Sequence, residues 1–149
     1  SGLRAGELLA LSMSDLDLSE SCLTVTRSKS KRPRVVFFGI ITRRATRYWL
    51  KHRGITPGPI FTSMTGGPLK YDGLRAIITR RAKLAGIDPP PLHAFRRAFC
   101  LSQLQAHVPE TTIARLMGHS NTSLIPRYAR QSKNDLGELY QSPVDKTKT

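Results

Sequence analysis

Residues 22–38 run CLTVTRSKSKRPRVVFF. Two short runs rich in β-branched and aromatic residues, 22–26 (CLTVT) and 34–38 (RVVFF), flank the basic segment RSKSKRP. Val, Thr and Phe suit a pleated, half-buried surface, and a polar stretch between two such runs reads as a hairpin turn. This segment therefore places a small antiparallel sheet in the chain. The pattern on either side of it is helical.

Upstream, residues 4–12 (RAGELLALS) read as a short helix with Leu8, Leu9 and Leu11 apolar. Downstream, residues 41–53 (ITRRATRYWLKHR) read as a helix whose stripe is Ala45, Tyr48 and Trp49, stopped by Gly54. A Gly/Pro loop runs to Pro59, Ile60 and Phe61 make a short apolar touch, and TGGP at 65–68 is a turn. Residues 72–85 form a helix ending at Gly86, with Leu74, Ile77, Ile78, Leu84 and Ala85 as its stripe. The run DPPP at 88–91 forbids helix and sets an extended approach. A helix then spans 93–106, with Phe95, Phe99, Leu101 and Leu104 near one face. A break at His107–Pro109 leads to helix 110–117, ended by Gly118. Short helices around 122–130 and 133–141 and a polar, mobile tail (SPVDKTKT) complete the chain. The expected fold is α+β, mostly helical with one small antiparallel sheet.

The chain has 149 residues, and its 24 Lys plus Arg against 10 Asp plus Glu give 24 − 10 = +14. That length fits one domain with its own core, and 39% hydrophobic residues suit a globular protein. The charge narrows the partners to polyanions, nucleic acid first. Ten of the basic residues lie between Arg27 and Arg53: Arg27, Lys29, Lys31, Arg32, Arg34, Arg43, Arg44, Arg47, Lys51 and Arg53. No Asp or Glu occurs between Glu20 and Asp72. A run of one sign fits phosphate contact better than a mixed run does. Cys22 and Cys100 sit in no CxxC pattern and read as free thiols. No run of about 18 apolar residues offers a membrane span. Neither a Gly-rich phosphate loop nor a GxSxG elbow occurs.

Four features carry chemistry. Arg4 opens a helix in GLRAGEL, and His93 and Arg96 lie three apart in HAFRR, on one helical face. His119 follows Gly118 in LMGHS, and Tyr128 lies nine residues later in IPRYAR. Each alone has a plain structural alternative: a surface arginine, a helix cap, a satisfied histidine, a packed tyrosine. Arg96 is the odd one, because an arginine on an apolar face needs an anionic partner. Glu7 and a ligand phosphate are the two candidates. His93, His107, His119 and Cys100 match no zinc spacing. Together, two arginines, two histidines, a hairpin lysine and a tyrosine suit metal-free phosphoryl transfer. Two guanidinium forks can clamp a phosphodiester and stabilise the charge that grows on its oxygens. A tyrosine, with a free pKa of about 10, attacks once cations and a base favour its phenolate. A lysine on the hairpin can protonate the leaving oxygen.

The order Arg…Lys…HxxR…GH…Tyr resembles the catalytic domain of the tyrosine recombinases, the phage-integrase family. The likeness covers nearly the whole chain through SGLRAGEL, RSKSKRPRVV, LHAFRRAF, LMGHS and RYAR. It implies that Arg4 and Arg96 clamp the scissile phosphate, that His93 is the acid/base histidine, and that His119 hydrogen-bonds the phosphate. It implies Tyr128 as the nucleophile, forming a 3′-phosphotyrosine bond to double-stranded DNA with no metal, ATP or other cofactor. The family's lysine lies five residues before an arginine that begins a strand, which selects Lys29 before Arg34, with Lys31 as runner-up. Glu7 supports Arg4 one turn along the same helix. The chain departs from the family in VVFF, where a proline is usual, in Ala94, where an acid is usual, and in Pro126 close before Tyr128.

The resemblance further implies an upstream core-binding domain, so that residues 1–149 are an N-terminally truncated catalytic domain. It implies a homo-tetramer on DNA, with residues 133–149 as a C-terminal helix and tail that dock on a neighbour. The expected setting is the cytoplasm, on DNA, in a bacterial or phage-encoded system. Two alternatives stay open on the residues alone: a non-catalytic DNA-binding module, and a type IB topoisomerase-like enzyme. The rest of the Arg27–Arg53 run is expected to grip the DNA backbone.

Overall fold

The two β-branched runs pair as expected, as β2 (Cys22–Val25) and β3 (Arg34–Phe37), antiparallel, with Leu23 opposite Val36 and Val25 opposite Arg34. The computed structural model describes residues 1–26 and 33–118. The hairpin tip with Lys29 and Lys31, and the expected helices at 122–130 and 133–141 with the tail, lie outside the described residues. Alternation along the strands sends Leu23, Val25 and Val36 into the core, while Val35 and Phe37 stay exposed on the other face.

A third strand, β1 (Leu16–Asp17), pairs antiparallel with β2 and makes the sheet order β1-β2-β3. Two residues are too few to carry a period, so the sequence pattern did not announce it. A 3-10 turn at Met13–Asp15 delivers it. Asp15 caps that turn, accepting from the Ser12 amide at 2.8 Å and the Ser12 hydroxyl at 2.9 Å.

The first helix, α1 (Ala5–Leu9), is shorter than the 4–12 expected. Arg4 and Ser12 are both extended, and between them Leu11 turns into the core. The Leu11 carbonyl accepts from the Ile60 amide at 2.9 Å, and Ser12 bridges to Pro59. The Ile60–Phe61 touch is thus bound alongside the segment that follows α1.

Four longer helices follow within a residue of expectation: α2 (Ile40–Arg53), α3 (Tyr71–Leu84), α4 (Leu92–Gln105) and α5 (Glu110–Met117). The inward faces of α2, α3 and α4 match the expected stripes only in part. In α2 the buried residue is Leu50, and Trp49 donates its indole N–H to the Ile60 carbonyl at 2.8 Å. Ala45 and Tyr48 face solvent. In α3 Ala82 is buried, Leu74, Ile77 and Ile78 are half-buried, and Leu84 and Ala85 are exposed. In α4 the buried pair is Arg96 and Cys100, four apart, and Phe95 is 53% exposed. Apolar side chains outnumber the inward positions of these short helices, so hydropathy alone misassigns the stripe.

Two apolar clusters result. Leu11, Leu23, Val25, Val36 and Ile60 form the core under the sheet. Cys100, Ile113, Ala114 and Met117 join α4 to α5, with Phe99, Leu104 and Val108 packed against them. Burial, the largest influence, pushes the Cys100 thiol up, as it does that of the half-buried Cys22. Among the described residues no helix is long and apolar enough to cross a membrane.

Candidate active site

Arg4 is the N-cap residue of α1 and stands in extended conformation. Glu7, one turn in, is in the first turn of that helix, where the macrodipole favours an anion. Its carboxylate accepts from the Arg4 backbone N–H and from Arg4 Nη1, each at 2.9 Å. The expected support of Arg4 by Glu7 is therefore present. Arg4 keeps 36% of its side chain exposed, so it faces both Glu7 and solvent.

Glu7 is buried, and so is Arg96; they are the two buried charged residues among those described. The chief ion pair of Glu7 comes from an unexpected direction. Arg34, the first residue of β3, reaches it with Nη2 at 2.7 Å and Nη1 at 3.2 Å. Burial by itself raises the Glu7 carboxyl. The Arg34 and Arg4 hydrogen bonds outweigh that and bring it down to about 2. The group is a fixed anion at neutral pH.

Arg34 also donates from Nε to the Leu116 carbonyl at 2.9 Å. Arg96 donates from Nη2 to the Met117 carbonyl at 2.5 Å, and from Nη1 to the Gly2 carbonyl. The last carbonyls of a helix have no partner inside it, and two guanidinium groups supply donors at the end of α5. Gly118 closes that end in the left-handed region, at φ +63°. A Cβ there would lie 2.7 Å from Arg34 Nη1, so any other residue would force the guanidinium to shift.

The Gly2 and Met117 partners of Arg96 differ from the anionic ones expected: both are backbone carbonyls. Glu7 is shared by Arg4 and Arg34, while Arg96 binds backbone carbonyls on either side of the site. Its bond to Gly2 lies two residues before Arg4, which ties the two arginines together across 92 positions of sequence. Arg4, Arg34, Arg96 and Glu7 carry 3 − 1 = +2 among them, a setting that favours an anion. His93 is exposed in the first turn of α4, one turn before Arg96. Pro91 caps that helix, so the proline run sets where His93 stands. Lys29, His119 and Tyr128 lie outside the described residues; chain connectivity puts His119 directly after Gly118. Among the described residues no three or more His, Cys, Asp or Glu side chains gather where a metal ion would be held.

Sequence reasoning used Arg34 only as a landmark for Lys29 and otherwise counted it in the basic run. Its signal was parity: Arg34 and Val36 are two apart on one strand, so a charge stands on the face that faces the core. Arg53 is a second such case. It donates from Nε to Pro59 at 2.8 Å and from Nη1 to Gly54 and Thr56 at 2.9 and 2.8 Å, all backbone carbonyls. Both arginines hold the protein together within a run expected to grip DNA.

Comparison with known proteins follows the same lines. The family model described as "Phage integrase family" matches residues 1–135. The chain is 31% identical over 139 residues to tyrosine recombinase XerA of Saccharolobus solfataricus, covering 93% of this chain and 45% of that protein. Its fold matches the crystal structure of XerA recombinase at TM-score 0.79 and 23% identity, over 96% of this chain and 55% of the other. It also matches XerH site-specific recombinase bound to palindromic difH substrate, a post-cleavage complex, at TM-score 0.71 and 23% identity, over 95% and 42%. The chain thus spans about half the length of these relatives.

Proposed function

Because the chain belongs to the phage integrase family, we propose that it is the catalytic domain of a site-specific recombinase that cleaves and rejoins double-stranded DNA. One observation carries this. Arg4 and Arg96, far apart in sequence, are tied at one place beside a buried Glu7 that is ionised at neutral pH, with the end of α5 alongside. His119 is the next residue of the chain.

In this reading Arg4 and Arg96 clamp the scissile phosphodiester, and their fixed donors stabilise the charge on its non-bridging oxygens. Tyr128 Oη gives its proton to His93 as base and attacks phosphorus, the bond to the 5′ oxygen breaks, and Lys29 protonates that leaving oxygen. His93 serves as acid/base, and His119 hydrogen-bonds the phosphate. The product is a 3′-phosphotyrosine link with a free 5′-hydroxyl. Attack by the 5′-hydroxyl of a partner strand reverses the step, so the ester conserves the bond energy and no metal or nucleotide is needed.

The same reading places residues 1–149 after an upstream core-binding domain. It assigns a homo-tetramer on DNA, with residues 133–149 docking on a neighbour, and the cytoplasm as the compartment. The substantial share of each relative that this chain does not cover leaves room for that upstream domain.

The test is covalent capture. The protein, joined to its upstream domain, is incubated with nicked suicide duplexes carrying its site. The expected result is a DNA–protein adduct that Tyr128→Phe abolishes. An adduct that persists in Tyr128→Phe shows another nucleophile, and no adduct on the cognate site returns the chain to a DNA-binding module. Single-turnover cleavage by Lys29→Ala and Lys31→Ala assigns the general acid.

A further inference from the structure

Arg34 is charged, yet its side chain is only 9% exposed, and all three of its nitrogens are bound within the protein. Its two partners come from distant parts of the chain: Glu7, 27 residues before it, and Leu116, 82 residues after it. One of them holds Arg4; the other ends the helix that leads to His119. Stability alone does not call for an arginine here. A buried ion pair is commonly matched or bettered by apolar side chains of similar volume, and Val36 on the same strand face shows that the neighbourhood is apolar. What a rigid planar fork adds is direction: it meets a carboxylate with two nitrogens and a carbonyl with the third at the same time. A lysine offers one point charge and cannot hold both. Gly118 leaves room for this arrangement, since a Cβ there would force the fork off its present position.

We propose that Arg34 is a positioning residue for strand cleavage, coupling the Arg4–Glu7 unit to the end of α5, and takes no part in gripping the DNA backbone. This rests on the recombinase reading above. Arg34→Lys keeps the charge and loses the fork. The double variant Arg34→Met with Glu7→Gln removes both charges together, so that no buried ion is left alone.

Both are studied beside the parent protein, well below their melting temperatures, by DNA binding against salt, single-turnover cleavage of the suicide duplex, and amide hydrogen exchange. The expected result is duplex affinity within about twofold of the parent with the same salt slope. Cleavage falls about tenfold or more even at saturating DNA, as for loss of an interaction that acts in the transition state. Exchange rises together at residues 4–8 and 115–118. A salt slope reduced by about one phosphate contact would make Arg34 a DNA-gripping residue. Full-rate cleavage by folded variants would make it a structural tie alone. Exchange that rises at only one of the two segments would refute the coupling. Should the parent protein itself form no adduct, the recombinase reading fails, and the exchange result still decides the coupling.

Discussion

The Arg34 guanidinium straddles the Glu7 carboxylate, with Nη2 2.7 Å from Oε2 and Nη1 3.2 Å from Oε1. This pair joins the first strand residue after the basic hairpin to the helix that carries Arg4. Arg4 binds the same carboxylate from the other side, so one acid organises two arginines.

Removing that acid leaves Arg34 charged and enclosed. Glu7→Ala is expected to lower the unfolding free energy by about 3 kcal/mol or more, the usual result of breaking a buried pair from one side. Chemical denaturation measures it. A loss below about 1 kcal/mol would mean that Glu7 behaves as a surface acid.

The same carboxylate predicts an acid limb. Its folded pKa, about 2, is below its ordinary value of 4.5. A depressed carboxyl contributes stability that is complete above the unfolded pKa and disappears as pH falls through that value toward the folded one. The contribution is on the order of 3 kcal/mol. Stability should therefore hold steady down to about pH 5 and fall steeply between about pH 4.5 and pH 2. Glu7→Gln should flatten that limb while lowering the neutral plateau; an unchanged limb would assign it to other acids.

Gly118 and Gly86 form an internal control for helix closure. Both have positive φ, +63° and +68°, but a Cβ at Gly86 meets nothing within 4 Å, whereas at Gly118 it meets Arg34. Gly86→Ala should cost about 1 kcal/mol from backbone strain alone. Gly118→Ala should cost clearly more and should also slow cleavage. Equal melting temperatures for the two variants would show that the Arg34 fork moves aside freely.

Within the basic run, the structure separates exposed charges from internal ones. Arg44 and Lys51 are exposed on α2, while Arg53 donates to three backbone carbonyls. Replacing Arg44 by Ala should weaken duplex binding and lower the salt slope by about one. Arg53→Met should leave that slope unchanged and lower stability instead. Equal slopes in the two variants would remove α2 from the DNA-facing surface.

The helices of 14 residues were legible because a period of 3.6 repeats several times within each, and Gly or Pro marks most of their boundaries. The hairpin was legible because β-branched runs flank a polar turn. β1 was not, since two residues carry no period, and α1 came out short because the extended Ser12 and the pairing with residues 59–60 compete for its last turn. The stripes were misplaced for a related reason. Hydropathy ranks Phe95 above Arg96, yet Arg96 finds carbonyl partners at Gly2 and Met117 and goes inside.

For the site, the sequence by itself determined which chemical groups are available and in what order: Arg4, the hairpin lysines, His93 and Arg96 three apart on a helix, His119 after a glycine, and Tyr128. Motif spacing is a local property, and local properties survive without a fold. Only the tertiary structure decided which arginines turn inward onto protein partners. Arg34 and Arg53 have the same charge as Arg44 and Arg47, which are exposed in the same basic run. What distinguishes Arg34 is a carboxylate 27 residues away and a carbonyl 82 residues away, whereas Arg53 turns onto carbonyls of the loop that follows it. A buried charge is tolerated only where such partners converge, and convergence from distant segments is the one thing a linear pattern does not contain.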